Sequence, residues 1–316
     1  MTKELKNNEL SYEGRPLPRP QDEVVDQGLS FDIGTLFSRR RALRFLGLGA
    51  AGGVLVACGT NAGSASTTSP TASASSTTST TTGEIPDETA GPYPGDGSNG
   101  ADVLEQSGVV RKDIRSSFGT GSATAEGVPM TLELVISDLA KGGSPFTGVA
   151  VYVWHCNRDG EYSMYSQGIT DENYLRGVQI ADADGRVQFT SIFPACYDGR
   201  WPHIHFEVYP DQASITDSTK AIATSQVALP QNICETVYAQ TGYEKSVSGL
   251  KKVTLSGDNV FGDDGGALQL ATVTGDVTAG YTVALNVGVN TTTKPTGGGQ
   301  PPTGGGQPPT GTPPAR

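Results

Sequence analysis

Alternation of apolar and polar residues is the clearest signal along the chain. Met130, Leu132, Leu134 and Ile136 take every second position of a run bounded by Pro129 and the Gly142-Gly143 pair, the pattern of a strand with one face in a core. A second run, 148–156, is rich in Val, Tyr and Trp. Val187 and Phe189 alternate after a hairpin-type Asp184-Gly185 turn, and Ile204, Phe206 and Val208 alternate again. Further strands are expected over Ala221–Ala228, Ala267–Val273 and Tyr281–Val287. One helix is expected between Pro230 and Gln240, where Ile233 and Val237 stand four apart behind an initiating proline. Many short strands with little helix predict an all-β fold, a β-sandwich with a few short helices.

The two ends lack this pattern. Ser38–Leu43 contains Arg39, Arg40 and Arg41, and an uncharged stretch from Phe45 leads to Leu55-Val56-Ala57-Cys58. A charged front, a short apolar stretch and small residues before a cut site make an export signal. The arginines resemble a twin-arginine signal, and Leu55–Cys58 resembles a bacterial lipobox, in which Cys58 would carry the lipid. Residues 1–57 are thus read as n-region and signal peptide. Residues 58–83 read as a linker: between Thr60 and Thr82, 16 of 23 residues are Ser or Thr, with nothing to bury against the entropy of ordering. Pro295–Pro301 returns as Pro302–Pro308 without an apolar position, so 292–316 is expected to be a disordered tail. One domain remains, 84–291.

Charge narrows the choice of partner. The 316 residues include 33 acidic and 22 basic ones, a net charge of −11, which excludes the basic surface that nucleic acid requires. No run of 18 apolar residues exists to span a bilayer, so membrane attachment is expected through the lipid alone. Four cysteines are too few for a disulfide scaffold.

Only three histidines occur: His155, His203 and His205. On a strand, His203 and His205 project from one face while Ile204, Phe206 and Val208 take the other. That spacing suits two ligands of one metal, and it equally suits two polar positions on a half-buried strand. His155 could complete a three-histidine zinc site of a hydrolase, although Val149, Val151 and Val153 put it on an apolar face. A non-catalytic sandwich that binds a surface partner is the third possibility.

Wider context selects among them. Trp154–Tyr162 ends one strand, Pro194-Ala195-Cys196-Tyr197 lies upstream of the histidine pair, and Arg200-Trp201-Pro202-His203-Ile204-His205-Phe206 contains it. Together these resemble the intradiol ring-cleavage dioxygenases, the family of catechol and protocatechuate 3,4-dioxygenases, from about Glu88 to Leu229. The resemblance implies a β-sandwich of that type and a non-haem Fe(III) held by Tyr162, Tyr197, His203 and His205. It also implies a catechol-type diol and dioxygen as substrates, with a cis,cis-muconate-type diacid as product. Arg200 matches the arginine that stabilises the ketonised substrate, and Tyr197 the tyrosinate that leaves the metal and takes a substrate proton. Gln226 matches a glutamine beside the ligands, and Gly91, Pro92 and Tyr93 a segment lining the substrate pocket. Tyr165 and Tyr174 are further pocket candidates. The chemistry is consistent, because a hard ferric ion favours anionic oxygen donors and only a strong cation ionises phenols of pKa about 10 near neutral pH. Once Cys58 is lipidated, Cys156, Cys196 and Cys234 remain. A Cys196–Cys234 disulfide is expected, since it would pin the Tyr197 loop to the helix after Pro230.

Overall fold

The computed structural model describes residues 83–295, together with a short pairing of β1 (Ser11–Tyr12) with β2 (Arg15–Pro16). That pair belongs to a unit separate from the domain holding every other element. The signal, linker and tail expectations otherwise lie outside the described residues. Among the described residues no helix is long and apolar enough to cross a membrane.

The run from Pro129 becomes β3 (Pro129–Asp138), whose even positions are buried and whose odd positions are partly open, as the alternation requires. It anchors a five-stranded sheet with β4 (Ser144–Pro145), β7 (Arg186–Ile192), β10 (Thr272–Asp276) and β11 (Gly280–Val289). The order is β10-β11-β3-β4, with β7 on the β4 side of β3; β11 runs parallel to β3 and the other pairs are antiparallel. A second, antiparallel sheet orders β6 (Arg176–Ile180), β5 (Ala150–Trp154), β8 (His203–Tyr209) and β9 (Ala223–Ala228). Leu132, Leu134, Val187, Phe189 and Val283 of the first sheet meet Val151, Val153, Ile204, Phe206 and Val208 of the second in one core. The mostly β sandwich expected from the sequence is therefore the fold.

What the alternation could not show is the cover on the other side of the second sheet. Tyr152, Trp154 and Tyr209 pack there beneath Val103, Leu104 and Val109. Strand β8 is consequently buried at all seven positions, and its two histidines face a roof of protein rather than open solvent. Two further expectations about the strands change. Asp184-Gly185 closes no hairpin, because β6 and β7 lie in different sheets and the turn carries the chain between them. Gly185 has φ +74°, and a Cβ there would fall 2.3 Å from the Ile136 carbonyl oxygen, so the crossing needs glycine. The strand expected at Ala267–Val273 starts at Thr272, because Gln269 and Leu270 donate back to the Gly266 carbonyl in a turn.

The expected helix is α1 (Gln231–Tyr238), and an unanticipated second one, α2 (Glu244–Leu250), follows it. Cys156, Cys196 and Cys234 are all free and buried, so the expected Cys196–Cys234 bond is not formed. The Cys196 sulfur instead faces the Arg200 carbonyl at 3.7 Å.

Candidate metal centre

Two loops and one strand build the site. Beyond β5, the Asn157 side-chain oxygen accepts from the amides of Asp159 and Glu161, both at 2.9 Å, and curls the chain toward Tyr162. The Asn157 carbonyl also accepts from the amide of Ala195 at 3.2 Å, tying this loop to the one that carries Tyr197. The loops touch at Gly160 (φ +85°), where a Cβ would sit 3.2 Å from Cβ of Tyr197. Strand β8 supplies His203 and His205 from the face opposite Ile204 and Phe206.

These side chains converge. The Tyr162 and Tyr197 hydroxyls are 3.4 Å apart, the Tyr197 hydroxyl is 3.1 Å from Nε2 of His203, and Nε2 of His203 is 3.1 Å from Nε2 of His205. A metal bound at about 2.0–2.2 Å sets adjacent donors roughly 3.0–3.5 Å apart, so the four atoms are spaced as ligands of a single ion. Nδ1 of His203 donates to the Trp201 carbonyl at 2.5 Å, which leaves Nε2 as the lone-pair nitrogen. His205 is oriented differently: its ring stacks on Trp154 at 4.9 Å between centroids and 7° between planes, and its buried Nδ1 has no hydrogen-bond partner.

The electrostatics fit a cation. Burial lowers the pKa of His203 and His205 well below the usual imidazole value; for His203 the Arg200 charge comes next, for His205 the His203 ring. Both are thereby neutral and able to ligate. Burial pushes the Tyr197 phenol up to about 12 against the nearby Arg200 charge, and raises Tyr162 well above the usual phenol value, with Tyr197 adding to the rise. Two such phenols ionise together only beside a concentrated positive charge. A set of two oxygen and two nitrogen donors fits a hard, highly charged ion, the ferric state above all.

The remaining expected residues surround this cluster. On β9 Gln226 pairs in register with His205; its amide donates to the Thr89 carbonyl at 3.0 Å, and its oxygen accepts from Nη2 of Arg200 at 2.6 Å. Nε of Arg200 donates to Asp258 at 3.0 Å. Gly91 (φ +72°) passes so close over His205 that a Cβ would lie 3.3 Å from Cε1. The Tyr93 ring packs against Tyr162 and Tyr165, with centroids 4.9 and 5.2 Å apart. The Pro92 carbonyl accepts from Asn99, whose side-chain oxygen takes a hydrogen bond from Tyr165. Tyr174 points elsewhere, into a small cluster with Ala125, Leu175 and Ile192.

His155 does not join the site. Its ring nitrogens are occupied by the Cys156 carbonyl at 2.8 Å and the Ser191 hydroxyl at 2.7 Å, and no three His, Cys, Asp or Glu side chains form a metal cluster among the described residues. The three-histidine zinc alternative therefore has no counterpart in the structure.

Two residues near the site escaped sequence reasoning. Arg176 is buried and donates to the carbonyls of Pro94 (2.7 Å) and Ser163 (2.9 Å), clamping the segment around Tyr93 to the loop after Tyr162. Asp258 lies in a turn far downstream. Neither sits in a pattern that separates it from other charged residues.

Comparison with known proteins agrees with this geometry. Residues 111–216, which include all four donors and Arg200, match the family model described as Dioxygenase. A chlorocatechol 1,2-dioxygenase of Rhodococcus opacus is 41% identical over 56 residues, 18% of this chain and 22% of that protein. A catechol 1,2-dioxygenase of a Pseudomonas strain is 38% identical over 72 residues, 23% of each. The matched part thus spans under a quarter of those relatives. An intradiol ring-cleavage dioxygenase from Tetranychus urticae shares the fold with a TM-score of 0.54 at 20% identity, covering 67% of this chain and 97% of that one. Sequence model and sequence relatives point the same way: residues 111–216 resemble the dioxygenase family, and the domain has the fold of an intradiol ring-cleavage dioxygenase.

Proposed function

We propose that the protein cleaves catechol-type aromatic diols between the two hydroxylated carbons, consuming dioxygen and yielding cis,cis-muconate-type diacids. The observation that carries this reading is the convergence of the Tyr162 and Tyr197 hydroxyls with Nε2 of His203 and His205. In this reading they hold a ferric ion, which when bound supplies Lewis acidity and the positive charge that keeps two buried phenols ionised.

Each surrounding residue then has a task. The Tyr197 oxygen, between Tyr162 and His203, is the base that takes a proton from the incoming diol. Arg200 presents a fixed cation where negative charge develops on the ring. Gln226 fixes the Nη2 edge of that cation. Tyr93, Tyr162 and Tyr165 supply aromatic surface of a size to stack on a single planar ring, and Gly91 lets the backbone roof the site without striking His205. A non-catalytic sandwich would have no need to bury two phenols and two imidazoles in mutual contact.

A visible tyrosinate-to-iron absorption band, with oxygen uptake on a small panel of catechols, tests the proposal. Tyr197→Phe is expected to keep iron but lose much of the colour shift on catechol addition. Colourless, zinc-loaded or metal-free protein without turnover would overturn it. The export signal and lipobox add a second reading, that the enzyme acts outside the cytoplasm, tethered through Cys58. A Cys58→Ser variant that stays in the membrane fraction would exclude that tether.

A further inference from the structure

Beyond the segment matched to the family, the chain returns to the site. After α2, residues 251–261 pass under Trp201, where Val260 and Phe261 pack with Trp201 and Ala228, supported by Leu250, Val253 and Leu255. This apolar anchor fixes the turn that contains Asp258. The Asp258 side chain is fully buried, with 0% exposure, whereas Arg200 retains 15%.

A buried carboxylate needs several donors, and Asp258 has them. Oδ1 accepts from the amides of Val260 (2.9 Å) and Phe261 (3.2 Å), which locks the carboxylate to its own turn. Oδ2 accepts from the amide of Trp201 at 2.7 Å and from Nε of Arg200 at 3.0 Å. The carboxylate thus joins three things: an apolar anchor, the backbone two residues ahead of His203, and the guanidinium.

The consequence falls on Arg200. A free arginine side chain samples many rotamers, and holding it in one costs entropy. Here its Nε–Nη2 edge is held from two directions, by Asp258 and by the Gln226 oxygen at 2.6 Å. Nη1 makes no hydrogen bond among the described residues, so it is the uncommitted donor. A planar fork gripped along one edge can present only the other.

We propose that Asp258 is a positioning residue of the ring-cleavage site, fixing the Arg200 guanidinium so that Nη1 faces the reacting diol. The inference rests on the dioxygenase reading, and it makes the downstream segment part of the active site. Asp258 also balances the Arg200 charge, so the stabilisation Arg200 offers is a directed hydrogen bond more than a net field.

The test uses iron-loaded protein and the Asp258→Asn variant, which keeps the size of the side chain and removes its charge. Iron content and the resting absorption band should be unchanged, because no ligand is touched. The expected kcat falls about tenfold or more with KM altered less than about threefold, the mark of an interaction made in the transition state. Adding Asp258→Asn to Arg200→Gln should cost little more than Arg200→Gln alone. In iron-free protein, NMR should show hydrogen exchange at the Arg200 Nε faster by about tenfold. Should the asparagine variant not fold, Asp258→Glu keeps the charge, displaces the guanidinium, and is expected to lower kcat at constant iron content. Additive losses in the double variant, or unchanged kcat and Arg200 exchange in either single variant, overturn the inference. Wild-type protein without colour or turnover would instead end the dioxygenase reading, and the exchange measurement would still decide whether Asp258 holds Arg200.

Discussion

Replacing Gly160 by alanine puts a methyl carbon 3.2 Å from Cβ of Tyr197, at a backbone φ of +85°. Two costs follow. The left-handed conformation disfavours any residue with a Cβ by about 1–2 kcal/mol. The contact adds a second cost, because the neighbour is a Cβ on a loop and not the free end of a side chain. The Tyr197 loop must retreat by a few tenths of an ångström, and overpacking of this kind costs typically 1–3 kcal/mol. Gly148 provides the control: φ is +86°, and a Cβ there meets nothing within 4 Å. Gly148→Ala should therefore lose about 1–2 kcal/mol, and Gly160→Ala about 1–3 kcal/mol more, both read from urea denaturation of iron-free protein. Only Gly160→Ala should also shift the tyrosinate-to-iron band and slow turnover, since only it displaces a residue of the proposed metal site. Equal destabilisation in the two variants, with the spectrum of Gly160→Ala unchanged, would refute the claim that the ligand loops are in steric register at this glycine.

Two further predictions concern buried groups that are not among the four proposed metal ligands. Burial lowers the His155 pKa from 6.5 to about 4, so between those values the unfolded chain binds the extra proton and stability falls as pH falls. Relative to His155→Gln, the wild-type protein should lose up to about 3 kcal/mol over that window; parallel stability curves would show that His155 is not held neutral. Burial pushes the thiols of Cys156 and Cys196 up to about 12 and raises that of Cys234 as well. All three should ignore a thiol reagent until the protein unfolds, and non-reducing peptide mapping that found a disulfide would contradict the free thiols.

Much of the site was legible because it is local. His203 and His205 belong to one strand, and the alternation of Ile204, Phe206 and Val208 told which way they face. Tyr162 and Tyr197 needed the family resemblance, since loop tyrosines 35 positions apart have no periodicity to unite them. Asp258 and Arg176 were invisible for a related reason. Their roles depend on where distant loops land, Asp258 some 58 positions after Arg200 and Arg176 some 82 after Pro94. The disulfide expectation failed because it weighed the compartment and the benefit of a crosslink. It had no access to the loop geometry that turns the Cys196 sulfur to the Arg200 carbonyl. The cover over the histidine face of β8 was not legible because it comes from residues 83–110, whose few bridges show no strand pattern.

The two imidazoles on β8 are unlike each other, and that difference has a chemical consequence. The ring of His203 leans on a carbonyl at its far nitrogen, which enriches the electron density it can lend. The ring of His205 lies flat on an indole with its far nitrogen unsupported. The pair would thus hold a metal unequally, His203 as the better electron donor and His205, the ring beneath Gly91, as the weaker one.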